Sequence, residues 1–181
     1  MNILKYIGVF HLCGMMLENL YGIIIQKHIL LDKLYFVSVI MIPLSWILCK
    51  DECLVSYLVK KYKNPEYVLG SEPADVNDIE ELFTNRSFYN KFCHINHGLR
   101  MVSMILVNNR TTKISYLLLV PTFILYTIYI RHVFFIPTYN EKSRELKGFF
   151  LHIRPILAMH LLAVLYTIND PFVKKGMEVV L

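Results

Sequence analysis

Three histidines, His11, His97 and His160, fall inside long apolar stretches of the chain. A b-type haem needs two neutral imidazoles from facing helices at one depth, and a bundle of membrane helices can supply them. The sequence therefore names these three as cofactor-binding candidates. It does not favour haem, because no histidine pair repeats across helices as a two-haem cytochrome requires. His94 and His152 sit nearer the ends of their stretches, and hydrogen bonding is the ordinary structural use of such imidazoles.

A second constellation joins Cys49 and Cys53, which follow one apolar run, to Cys93 and His94, which open another. Thiolates and an imidazole brought to one face would suit zinc. The C-x3-C pair lacks a matching second knuckle, so the metal reading of Cys49, Cys53, Cys93 and His94 is the weaker one. Acylation of cysteines beside a membrane is the more ordinary functional use of thiols so placed, and unmodified thiols are the commonest expectation. A third group is polar and intramembrane: Glu18, Arg100 and Arg154. Along the first run Gly8, His11, Met15, Glu18 and Gly22 share a helical face, which reads as a proton or ion relay or, more simply, as polar glue between helices. Arg100 needs an acidic or carbonyl partner if its helix crosses a membrane, and Glu18 is the carboxylate best placed within a span. No Gly-rich phosphate loop, serine-nucleophile elbow or H-E-x-x-H occurs.

The elements that would carry these groups are apolar helices. The chain is 55% hydrophobic with mean hydropathy +0.44, and about 20 apolar residues cross a bilayer core as a helix. Spans are expected at 3–25, 29–48, 114–135 and 149–168, with a weaker one at 92–108 that carries His94, Asn96, His97 and Arg100. Arginine at a span centre costs about 2.5–3.5 kcal/mol on insertion scales, so helix 92–108 would cross only among polar partners, or else lie flat on the surface. The short connection at 108–113 suits a tight antiparallel hairpin and favours five spans over four. The first run is expected to stay in place rather than be cleaved, since Glu18 and Asn19 interrupt it and no small-x-small pattern follows.

Between the second and third runs lies a polar segment, 49–91. Asp51 and Glu52 are expected to open an amphipathic helix that Lys60, Lys61 and Lys63 close, with Leu54, Val55, Leu58 and Val59 as its apolar stripe. Asn64-Pro65 stops it, and an acidic stretch from Asp75 to Glu81 is expected as a short solvated helix. Five spans put 11 basic residues on the face shared by the N-terminus and this segment, against 6 on the other; four spans give 12 against 6. Both place that face in the cytoplasm. The net charge of +5 belongs to topology and lipid headgroups rather than to nucleic acid. Two sequons, at Asn85 and Asn109, read as chance matches.

The expectation is thus an all-α, multi-pass transmembrane bundle, one domain over 1–181, with a cytoplasmic amphipathic segment. With no motif for a reaction, it reads as a non-enzymatic scaffold or interaction protein whose partners are the bilayer, a second copy or another membrane protein. A membrane redox or metal protein is the alternative, and a small transporter or channel component, with Glu18, Arg100 and Arg154 along a polar path, is the third.

Overall fold

The computed structural model describes residues 3–71, 79, 82, 83, 85–135 and 142–169. Among them are six α-helices and no strand: α1 (Ile3–Ile24), α2 (Ile29–Leu48), α3 (Leu54–Lys63), α4 (Arg86–Val107), α5 (Tyr116–Phe135) and α6 (Lys142–Asn169). The fold is all-α. α1 lies along α4, α5 lies along α6, and α2 joins the two pairs by contacting α1, α4 and α6. The core fills the space around α2, where Phe36, Val39 and Ile40 meet Met104, Val107, Leu157 and Leu161.

Two helices, Lys5–Ile24 and Ile29–Leu48, are long and apolar enough to cross a membrane; the apolar parts of α5 and α6, Tyr116–Arg131 and His152–Ile168, are shorter. The weak run of the sequence is a full helix of 22 residues, α4. It packs inside the bundle against α1 rather than lying apart from it. The tightest approach is at Gly22, whose N–H donates to Ser103 Oγ at 2.5 Å. A Cβ on Gly22 would overlap the Ser103 carbonyl oxygen and lie 2.6 Å from its Oγ. Glycine is required there for contact, not for backbone freedom.

The 108–113 connection is a π-turn, Asn108–Thr112, closed by Lys113 in the left-handed region. Asn108 makes it rigid. Its side chain receives the Ile114 N–H at 2.7 Å and the Thr112 hydroxyl at 2.8 Å, and donates to the Ile114 carbonyl at 3.0 Å.

The turn after α2 differs from the sequence expectation. The Asp51 N–H donates to the Trp46 carbonyl at 2.7 Å, and Lys50 has φ of 56°, the Schellman closure that glycine usually provides. Asp51 is left-handed too, with φ of 67°, and such non-glycine conformations cost on the order of 1–3 kcal/mol each. The double turn sends the chain back into the bundle, so Asp51 and Glu52 are buried. They do not open α3, which starts only at Leu54. Lys60 is buried as well and ion-pairs with Glu52 at 2.9 Å. The stripe of α3 is split accordingly: Ser56, Val59 and Lys60 face inward, while Leu54, Leu58 and Tyr62 face out. Of the acidic stretch from Asp75 to Glu81, only Ile79 is among the described residues, and it is helical and buried.

Candidate functional site

Charged side chains meet at three levels of the bundle. The middle level centres on Arg100 of α4. Its Nη2 donates to Glu18 Oε2 at 2.7 Å, its Nε to Asn19 Oδ1 at 2.8 Å and its Nη1 to the Tyr126 hydroxyl at 2.7 Å. Asn19 in turn donates to Asn96 Oδ1 at 3.0 Å, and Asn96 donates to the Phe92 carbonyl. One guanidinium thereby ties α1, α4 and α5 together. Three N–H directions of the planar fork are used, and the charge is neutralised by Glu18, whose second oxygen is buried without a hydrogen bond. Asn19, Asn96 and Tyr126 were not singled out as partners in the sequence; the four-residue spacing of Asn96 and Arg100 was the available signal.

Next to the inter-helix turn, the buried Asp32 of α2 accepts from Arg110 twice, at 2.7 Å from Nη2 and 3.0 Å from Nε. It also accepts from the Tyr21 hydroxyl at 2.9 Å and from the Thr111 hydroxyl. Arg110 further donates to the Gly22 and Ile25 carbonyls at the end of α1 and lies over the Tyr21 ring, which stacks on Tyr35. Neither Asp32 nor Arg110 carries a sequence signal of this role, because each sits at a helix boundary where a solvated charge is the usual finding.

At the opposite level, Asp51 accepts from the Tyr129 hydroxyl at 2.9 Å and from Arg154 Nη2. Arg154 is thus engaged in an ion pair, away from the Glu18–Arg100 node. Beside it Glu52 accepts from Lys60, from the Tyr67 hydroxyl at 2.7 Å and from the Gly70 N–H at 2.8 Å. Gly70 has φ of 83°, and a Cβ there would strike Lys50; the loop can close over Glu52 only with glycine at that place.

Beside the middle level is a cavity of about 100 Å³ that opens to the surface. Its walls are mostly apolar, from Met15, Trp46, Ile79 and Ile130, and the polar Asn19, Asn96 and Arg100 also line it. His11, Cys53, Cys93 and His97 line it too. His11 Nε2 lies 3.8 Å from Cys53 Sγ, whereas His97 pairs with the Thr127 hydroxyl at 3.0 Å and packs edge-on against Tyr126. Burial pushes the Cys53 thiol up, but the bond and charge of His11 and the nearby Ser56 and Val55 amides outweigh it, so its pKa is below the usual thiol range. Those amides act without making a capping hydrogen bond to Sγ.

Of the haem candidates, the cavity brings His11 and His97 to one space. His160 lies outside it and faces Thr122, 3.4 Å from its hydroxyl. Of the metal candidates, Cys53 and Cys93 line the cavity and Cys49 and His94 do not. No group of three His, Cys, Asp or Glu side chains able to hold a metal occurs among the described residues. No protein-family model, curated protein or solved structure matches the chain.

Proposed function

We propose that the protein is a five-span integral membrane protein, with its N-terminus and the 49–91 segment in the cytoplasm, that works by associating with another copy of itself. The observation that carries the membrane part is the inverted distribution of side chains. Asn19, Asn96, Arg100, Ser103 and Asn108 are inside the bundle, while Phe10, Leu17, Leu48 and Leu117 are each more than two-thirds exposed. Water would penalise that arrangement and lipid favours it. Support for association comes from α1, where Gly14 lies between Phe10 and Leu17 on the outer side, with nothing among the described residues near its Cβ direction. A glycine there offers lipid little contact and lets a second helix come close.

The haem reading is less well supported, since His97 and His160 each already face a threonine hydroxyl. Two measurements test the proposal. Maleimide labelling of Ser71→Cys is expected only in permeabilised cells; labelling from outside intact cells, for protein at the surface, reverses the orientation. Energy transfer between two labelled copies in one bilayer is expected, and Gly14→Leu should reduce it severalfold. Transfer no higher than that of an unrelated membrane protein removes the association.

A further inference from the structure

We infer that Cys53, with His11 as its general base, is a site that takes up a fatty acyl group from an acyl thioester at the mouth of the cavity. The chain is built to present this thiol. The left-handed pair Lys50–Asp51 turns it back into the bundle, and the two residues before it are fixed. Asp51 is held by Tyr129 and Arg154, and Glu52 by Lys60, Tyr67 and Gly70. Sγ therefore comes to rest 3.8 Å from His11 Nε2, on a helix far away in sequence. A nucleophile and base so placed have little positional freedom left to lose on reaction.

The thiol also stands at the first turn of α3, where oriented N–H groups favour an anion. The direction of its pKa, below the usual thiol range, agrees with that placement. The other cysteines lack it: Cys13 is exposed on α1, Cys49 lies off the cavity, and Cys93, which also lines the cavity, sits within α4 rather than at a helix start. The cavity wall selects the class of electrophile. Met15, Trp46, Ile79 and Ile130 offer an alkyl chain an apolar surface, and the opening lets a longer chain continue outward.

The reaction balances as thiol exchange. His11 accepts the Cys53 proton, and the thiolate attacks the thioester carbonyl carbon. The bond from that carbon to the carrier sulfur breaks, and the carrier thiol leaves with the proton from His11. Nothing is oxidised or reduced. The inference does not depend on the association proposed for α1.

The test uses the full chain in lipid nanodiscs with alkyne-tagged palmitoyl-coenzyme A, followed by peptide mass spectrometry and hydroxylamine release. Label is expected on Cys53 and to be lost in Cys53→Ser. Cys13→Ala and Cys49→Ala should stay within about twofold, and His11→Gln should slow the initial rate at least about tenfold. To separate loss of the base from a folding defect, alkylation of Cys53 by iodoacetamide is followed against pH in both proteins. The wild-type midpoint is expected below that of a free cysteine thiol in solution, and His11→Gln should raise it. Label spread evenly over the cysteines, equal rates with and without His11, equal alkylation midpoints, or label only when a cellular acyltransferase is added would each overturn the inference.

Discussion

Removing Glu18 is the sharpest perturbation of the bundle. The side chains of Arg100 and Glu18 are 8% and 12% exposed, so the pair is almost wholly desolvated. Breaking such a pair by deleting one partner costs about 3–5 kcal/mol, because the surviving charge stays buried, whereas replacing both partners by apolar groups is often close to neutral. Glu18→Leu leaves the guanidinium with only neutral partners, Asn19 and Tyr126, and is expected to cost about 3–5 kcal/mol. Arg100→Met should cost at least as much, since it strands Asn19 and Tyr126 as well as Glu18, whose Oε1 already lacks a partner. Once Arg100 is gone, Glu18→Leu has no charge left to expose, so the double variant should be no less stable than Arg100→Met. The competing account treats the contact as one more polar bond between membrane helices, worth about 0.6 kcal/mol on average and about 1.7 at most. Those ranges do not overlap. Reversible unfolding by sodium dodecyl sulfate in mixed micelles, read from Trp46, the single tryptophan on the cavity wall, distinguishes them. A cost below about 1.7 kcal/mol for Glu18→Leu, or additive costs in the double variant, would refute the reasoning.

Gly22→Ala exchanges a poor helix former for the best, a gain of about 1 kcal/mol in an isolated helix. Here it should lower stability instead, because the new methyl overlaps the Ser103 backbone; a higher unfolding midpoint would deny the close approach of α1 to α4. Asp32→Asn removes the carboxylate that Arg110 grips with two bonds and should cost about 3 kcal/mol, measured by the same titration. A loss under about 1 kcal/mol would mean that Arg110 is solvated. Glu52→Gln takes the charge partner from buried Lys60 and should speed trypsin cleavage after Lys60, Lys61 and Lys63 severalfold, while α1 and α2 remain intact. Unchanged cleavage would show that the 49–70 turn is held by something other than Glu52.

The helices were legible because apolar length marks them. Their bounds at Ile29 and Leu48 are those of the sequence, and α1 differs by one residue. α4 was harder, since its polar residues break the hydropathy signal; only packing against α1 gives them partners. The Glu18–Arg100 pair could be inferred because a guanidinium in an apolar run creates a demand that few residues can meet. Asn19, Asn96 and Tyr126 carry no comparable demand, as neutral polar groups can satisfy themselves on their own helix, in the way Asn96 also bonds Phe92. Asp51 and Glu52 were misplaced for a different reason. Acids before an apolar run followed by lysines are the usual sign of a helix start. The feature that buries them is left-handed backbone at Lys50 and Asp51, and neither residue is the glycine or asparagine that announces such a turn.

The three polar levels answer a problem that the membrane reading creates. Between helices already in lipid there is no hydrophobic drive to choose one rotation or depth over another, so packing and polar contacts must do so. Asp32 with Arg110 and Tyr21 fixes α2 against the end of α1 and the π-turn. Arg100 fixes α4 to α1 through Glu18 and Asn19, and to α5 through Tyr126. Asp51 fixes α5 and α6 to the turn after α2 through Tyr129 and Arg154. All five long helices enter at least one level, and the levels come at different heights, which pins tilt as well as rotation. The cavity is lined by the residues of the middle level, Asn19, Asn96, Arg100 and Tyr126. Variants that cut Arg100 should therefore deform it, whereas Gly14→Leu on the outer face of α1 should leave it unchanged.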